Sequence, residues 1–471
     1  MLFAVQSRGT GFVGRVFGPV MAGWFLAIGS LGAIAALAHP GVFVALTPLP
    51  AVRFVAAAPL GVSFAVLGAV FLAVTGGEAM YADLGHFGRP AVRTAWFAVV
   101  LPALVLNYLG QAALVSSDPG QAGNSFYALA PGWLRLPMIV FATAATVIAS
   151  QAIISGVFSL TQQSIQLGFL PRLRIEHTAA DIEGQIYLPL TNWLLAAGTL
   201  AAVLAFRSSD ALAGAYGIAV SALMPISTFL AALVARKWGY NLPAVLAVNG
   251  ALMAIDLLFF AANALKLLEG GWFPLVIAGV IAFLMLTWRR GVALVEQARR
   301  SERESEGDFL RNLDARATCR TPGIGAFLSA VEQDIPLSLS HHLRHNRSLQ
   351  ERVLVVSVGS DNVPRTAPEK RAGVTPLGSG IDRVHLKFGF AEMVDVPERL
   401  RDATSELDEE TRAAISYYIG RETIIADGRI FGMAPWRESL FSWMQRNAAP
   451  TGASFCIPSR QLVEVGMEVR I

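Results

Sequence analysis

The sequence predicts an α-helical polytopic membrane protein that ends in a soluble cytoplasmic α+β domain. Three observations lead there. The 471 residues are 54% hydrophobic, with a mean hydropathy of +0.52, which is too apolar for an ordinary soluble chain. The apolar residues gather into runs of the roughly 17–25 residues that a helix needs to cross a bilayer. These runs stop near residue 290, and the remainder is charged and patterned like a soluble domain.

Eight runs read as spans: residues 16–38, 60–82, 95–115, 137–160, 188–206, 211–235, 243–265 and 272–288. The first is too long for a signal-peptide core and no convincing cleavage site comes after it, so it counts as a span. An even number of spans puts both termini on one side. Loops on that side carry Arg8, Arg15, Arg89, Arg93, Arg172, Arg174, Arg236, Lys237, Arg289 and Arg290. Loops on the other side carry only Arg53, Arg135, Arg207 and Lys266. The excess of positive charge places both termini in the cytoplasm.

Residues 1–290 are thus the transmembrane domain. Residues 291–320 read as a charged helical linker, and 321–471 as the cytoplasmic domain. Within the last, 352–358, 383–390, 413–425 and 461–471 are rich in β-branched and aromatic residues and read as strands. Residues 436–447 have the spacing of an amphipathic helix.

The most informative stretch is Thr75-Gly-Gly-Glu78, inside the second run. A carboxylate at mid-membrane costs about 2.5–3.5 kcal/mol on insertion scales and is usually functional. The two glycines weaken the helix, and a broken helix frees carbonyl oxygens that need a partner. Carbonyls, the Thr75 hydroxyl and the Glu78 carboxylate would form an oxygen-lined cation site at Thr75, Gly76, Gly77 and Glu78. The alternative is a glutamate near a helix end that reaches out to water, since Asp83 and His86 come soon after.

Asp256 is a second acid in an apolar run. It is either a proton- or cation-coupling group or a structural acid paired with a neighbouring helix. Thr143, Thr146 and Ser150 fall on one face of their helix. They line a pathway or hydrogen-bond across a helix interface. Asn107, Tyr108 and Gln111 are a weaker set of the same kind. Asp83, His86 and Arg89 read as a solvated loop, with His86 a proton relay in the alternative reading.

Other functions find little support. The net charge of +3 is too small to argue for nucleic acid, and the two cysteines, Cys319 and Cys456, form no disulfide framework. His341, His342 and His345 are the only histidine cluster. His341 and His345 could share a helix face, but no third ligand is evident, so no metal beyond a transported ion is expected. There is no nucleotide-binding P-loop, no nucleophile elbow and no zinc-protease motif, so neither an enzyme nor an ATP-driven pump is expected. No cofactor is implied.

Several longer stretches resemble the KUP/HAK/KT family of potassium uptake permeases. Thr75-Gly-Gly-Glu-Ala-Met-Tyr-Ala-Asp-Leu-Gly-His-Phe-Gly88 resembles that family's sixth-span signature. Trp96-Phe-Ala-Val-Val-Leu-Pro-Ala-Leu-Val-Leu-Asn-Tyr-Leu-Gly-Gln111 resembles the family's next stretch. Ala149-Ser-Gln-Ala-Ile-Ile-Ser-Gly156, Ala215-Tyr-Gly-Ile-Ala219 and Glu269-Gly-Gly-Trp-Phe-Pro274 are similar to later spans. In the soluble part, Thr321-Pro-Gly323, Leu343-Arg-His-Asn346 and Tyr418-Ile-Gly-Arg-Glu-Thr423 also match. The resemblance covers essentially the whole chain. It implies a LeuT-like membrane domain that moves K⁺ together with H⁺, and a regulatory cytoplasmic domain. It supports Thr75 and Glu78 as ion ligands and Asp256 as an important acid.

The chain departs from the family in one respect. Family members have twelve spans, and the first span here matches their fifth. Their Gly-Asp-Ile-Gly-Thr-Ser-Pro-Leu-Tyr motif, on the other broken helix of the ion site, is not found. The opening Met1-Leu-Phe-Ala-Val-Gln6 looks like the tail of the family's fourth span. The expectation is therefore a K⁺:H⁺ symporter of the inner membrane, working by alternating access and lacking the first four spans in this sequence. The rival is a transport-incompetent paralogue or subunit that serves as a membrane-anchored sensor. Expected partners are potassium ion, the lipid bilayer and a second copy bound through the cytoplasmic domain.

Overall fold

A computed structural model describes residues 2–6, 11–77, 88–177, 186–302, 304–313, 319–329, 334–361, 363, 365–389, 392–404, 406–425, 432–449 and 455–470. The chain divides into two compact units. One holds residues 1–162 and 175–282, and the other holds 163–174 and 283–471.

The first unit is helical. Its main helices are α1 (Gly11–Ala38), α2 (Leu49–Ala57), α3 (Leu60–Ala73), α4 (Leu101–Ser117), α5 (Gly132–Gln166), α6 (Pro189–Phe206), α7 (Ser209–Lys237), α8 (Leu242–Ala264) and α9 (Trp272–Glu302). From residue 163, α5 belongs to the second unit, and so does α9 from residue 283. Among the described residues, seven helices are long and apolar enough to cross a membrane. Six of the runs read from sequence correspond to six of these, and residues 272–288 to the helical stretch Leu267–Arg300.

The eighth expectation is corrected. Residues 60–82 do not form one continuous span. The helix ends at Ala73 after 14 residues, because Val74–Gly76 leave the helical path. Sequence reasoning missed a bent pair, Pro40–Leu46 and Leu49–Ala57, whose axes differ by 78°. Pro48 and Pro50 stand at the bend, and proline removes a backbone donor and clashes with the preceding turn.

Small residues let α1 and α4 cross closely. A Cβ on Gly110 would sit 2.5 Å from the Cα of Gly32, so neither position has room for a side chain. The Asn107 amide on α4 donates to the Ile28 carbonyl on α1 at 3.4 Å. At α7 and α8 the Thr228 hydroxyl donates to the Asp256 carboxylate at 2.5 Å. Phe259, one turn beyond Asp256, meets Phe71 of α3 with ring centroids 5.2 Å apart.

The second unit is built on a six-stranded sheet: β1 (Cys319–Ser329), β2 (Ser348–Asp361), β3 (Ala372–Gly378), β4 (Ile381–Gly389), β5 (Ser416–Ile425) and β6 (Leu462–Arg470). The spatial order is β3-β4-β2-β1-β5-β6. All its pairings are parallel except the β3–β4 hairpin. Helices α10 (Leu337–Asn346), α11 (Val396–Ala403) and α12 (Pro435–Arg446) connect the parallel strands.

This corrects the expected α+β arrangement to α/β. Alternate residues of the central strands feed two cores. Leu354, Val356, Val384 and Leu386 pack with Val396 and Leu400 of α11. Val353, Val355 and Phe327 pack with Leu339 and Leu343 of α10 on the opposite face. A sheet buried on both faces is the usual outcome of parallel strands joined by helical crossovers. Residues 291–302 continue α9, and Leu294 and Val295 there pack with Phe441 and Met444 of α12.

An acid pins the turn after β4. Glu392 accepts the Gly389 N–H at 2.6 Å and the Thr366 N–H at 3.3 Å. Its other oxygen lies 3.0 Å from the Arg399 guanidinium, which itself sits 4.6 Å over the Phe388 ring. Burial alone would raise the Glu392 pKa. The backbone donors and Arg399 outweigh burial and hold it below its ordinary value. A depressed native pKa stabilises at neutral pH and is lost as pH falls through it. We predict that Glu392→Gln lowers stability by about 1–3 kcal/mol at neutral pH. The gap to the parent should narrow as the pH drops below the ordinary carboxylate range. Thermal unfolding of both proteins across that range checks this, and a gap independent of pH would count against it.

Candidate functional site

The site is built around the end of α3. The helix is apolar along its length, Leu-Gly-Val-Ser-Phe-Ala-Val-Leu-Gly-Ala-Val-Phe-Leu-Ala. Val74 leaves the helical region with φ −112° and ψ 8°, and Gly76 has φ +124°. That backbone conformation is open to glycine and strained for other residues. The break thus falls where the glycine pair predicts it.

A break leaves carbonyl oxygens without their helical donors. Two of them find partners within the protein. The Leu72 carbonyl accepts the Thr75 hydroxyl at 2.9 Å, and the Ala73 carbonyl accepts the Tyr108 hydroxyl of α4 at 2.6 Å. Having given its proton to Leu72, the Thr75 oxygen keeps lone pairs for another donor or a cation. Thr75 is half-buried, and Gly76 and Gly77 are exposed. Glu78, Asp83 and His86 lie outside the described residues.

A cavity of about 1300 Å³ opens beside the break. Thr75, Gly76, Gly77 and Tyr108 line it, together with Arg89, Arg93 and apolar side chains of the helical stretch that leads into α4. Two guanidinium groups on the wall oppose a cation, so a carboxylate near the break would have to offset them.

The other polar candidates are placed as follows. Asp256 is 5% exposed and receives its hydrogen bond from Thr228 on the neighbouring helix, the geometry of the structural alternative. The stripe of Thr143, Thr146 and Ser150 exists, but each hydroxyl donates to its own helix, to the carbonyls of Ile139, Ala142 and Thr146 at 2.8, 2.8 and 2.9 Å. Asn107 and Gln111 form a chain with Ser125 through bonds of 2.7 and 2.9 Å. His341 and His345 stand with ring centroids 6.1 Å apart, and no group of three metal-ligating side chains occurs among the described residues.

Two residues matter more than the sequence indicated. Tyr108 caps the break, which a tyrosine in an apolar run could only hint at. Asn263 is fully buried where α3, α7 and α8 meet, close to Gly68 and Gly217. Its amide donates to the Phe259 carbonyl at 2.9 Å, while its oxygen has no partner.

An integral, multi-pass helical protein with a span broken at glycines beside a cavity has the architecture of a membrane transporter. Comparison with known proteins identifies which kind. A family model described as the K⁺ potassium transporter integral membrane domain matches residues 1–293, and one for the K⁺ potassium transporter C-terminal domain matches residues 322–471. The chain belongs to this potassium transporter family, which is not a family of enzymes. Over its whole length it is 54% identical to the probable potassium transport system protein Kup 3 of Bradyrhizobium diazoefficiens, covering 76% of that protein. It is 46% identical to the probable potassium transport system protein Kup of Thiobacillus denitrificans, covering 75%. It is 45% identical to the probable potassium transport system protein Kup 2 of Rhodopseudomonas palustris, covering 76%.

The cap on the break is testable by itself. Tyr108→Phe removes one hydroxyl and leaves the Ala73 carbonyl without that donor. The expected loss is about 0.5–1.5 kcal/mol, read as a lower unfolding temperature in detergent. An unchanged unfolding temperature would mean that the bond does not hold the break.

Proposed function

We propose that this protein takes up potassium across the cytoplasmic membrane, with K⁺ held at the break formed by Thr75, Gly76, Gly77 and Glu78. The observation that carries the reading is the loss of helix at Val74–Gly76 beside a cavity, in a chain of the potassium transporter family. K⁺ sheds water and needs oxygen ligands in return. The Thr75 hydroxyl oxygen and backbone carbonyls beyond Ala73 supply them. The Glu78 carboxylate balances the ion and the nearby Arg89 and Arg93.

The reading includes a LeuT-like architecture that works by alternating access, in which a broken helix forms one side of the ion site. It includes coupling to H⁺, with Asp256 the proton-carrying candidate. In the observed geometry Asp256 accepts from Thr228. A proton taken up on the other carboxylate oxygen would leave this bond in place, because a protonated carboxyl group still accepts. Thr143, Thr146 and Ser150 would line the path with oxygen lone pairs, their protons being committed to their own helix. Both termini lie in the cytoplasm in this reading. The soluble domain regulates transport and pairs with a second copy.

Two variants test it, made in the protein as its gene encodes it and expressed in cells that lack other potassium uptake. Glu78→Gln should reduce K⁺ uptake at least about tenfold with membrane insertion unchanged, as expected for a functional intramembrane acid. Uptake like that of the parent would remove Glu78 from the site. Asp256→Asn should flatten the pH dependence of uptake. If it lowers only protein abundance, and the pH profile stays, Asp256 is structural.

A further inference from the structure

In the soluble unit the chain reverses its winding at β1. From β1 it passes through α10 to β2. From β4 it returns through α11 to β5, on the other side of β1. α10 covers the face of Phe327, Val353 and Val355, and α11 covers the opposite face, with Ala326, Leu354 and Val356. Neighbouring strands whose connections leave to opposite faces open a crevice beyond their carboxyl ends, and ligands of open α/β sheets bind there.

That crevice is formed here. β1 and β5 pair only from Gly325 and Ser416 to Phe327 and Tyr418. Beyond that point Leu328 and Ser329 on one strand, and Ile419 and Gly420 on the other, line a cavity of about 440 Å³. This volume lies within the roughly 300–1,000 Å³ usual for small-molecule sites.

The first turn of α10 also lines it, through Leu337 and Ser338. The N-cap residue is Pro336, and no side chain caps the helix. The first N–H groups of a helix have no partner within it, and they favour an anion. Ser338 gives a second, independent indication. It is 2% exposed and its hydroxyl has no partner, which is costly unless a ligand supplies one. The charged residues on the wall are Arg172, Arg299 and Asp334. Arg299 is also 3.6 Å from Glu296. The remaining wall includes Phe455 and Met467. Basic groups and helix N–H donors stand with apolar side chains in a space much larger than one phosphate.

We propose that this crevice binds a phosphate-bearing small organic molecule. The phosphate sits on the α10 N-terminus and the Ser338 hydroxyl, with Arg172 at its side. The organic part rests on Leu328, Ile419 and Phe455. The site is separate from the break in α3, and the proposal does not depend on how the ion is carried.

Calorimetric titration of the purified full chain tests it, with ADP, ribose 5-phosphate and inorganic phosphate as probes. At least one of the two organic phosphates should bind saturably, one per chain and more tightly than inorganic phosphate. Arg172→Glu, a change at an exposed position, should weaken that binding about tenfold. Ser338→Ala should weaken it by roughly threefold to tenfold. Three results would overturn the proposal. One is no saturable binding of any probe up to roughly 1 mM. Another is binding that neither variant alters. The third is inorganic phosphate binding as tightly as both organic probes, which would indicate a bare anion site.

Discussion

Within a bilayer every backbone polar group must find its partner inside the protein. This constraint governs the first unit. A helix meets it by itself, so helices fill the unit, and any departure from helix needs a specific remedy. The departure after Ala73 is remedied twice, by Thr75 from within the same segment and by Tyr108 from α4. Each of the two freed carbonyls thereby spends one of its two lone pairs. The acceptor capacity left for a cation is smaller than a bare break would offer. The break is shaped by its neighbours before any ion arrives.

The same constraint explains the packing around it. Phe71, near the end of α3, rests on Phe259 of α8. Asp256 and Asn263 flank Phe259 at helical spacing. The acid is tied to Thr228, and the asparagine sits against glycines of α3 and α7. A buried polar group in such a place is costly unless paired, so the unpaired Asn263 oxygen marks the least settled part of this packing.

Much of this was legible in sequence. The apolar runs located the helices, and the adjacent glycines located the break, because few other residues adopt the backbone that Gly76 shows. The partners of the freed carbonyls were not legible. Tyr108 lies far from Ala73 along the chain, and only the folded helices bring them together. The bend at Pro48 and Pro50 was also missed, since three prolines and Arg53 interrupt the apolar run there. In the soluble unit the strand pattern of β2, β4, β5 and β6 was plain. β1 begins with Cys-Arg-Thr-Pro-Gly, which carries no strand signature, and α10 holds three histidines that drew attention to metal chemistry instead. Without β1, α10 and α11 the parallel, two-faced winding could not be recognised. Nor could the crevice that it creates.

The central claim is that the break after α3 is a potassium site. Hydrogen exchange of the backbone from Leu72 to Glu78, measured on the purified protein with K⁺ and with Na⁺ at equal ionic strength, tests it most directly. Slower exchange in K⁺, confined to this segment and saturating with concentration, is the result this account predicts. Identical exchange in the two salts, in protein shown to be folded, would contradict it.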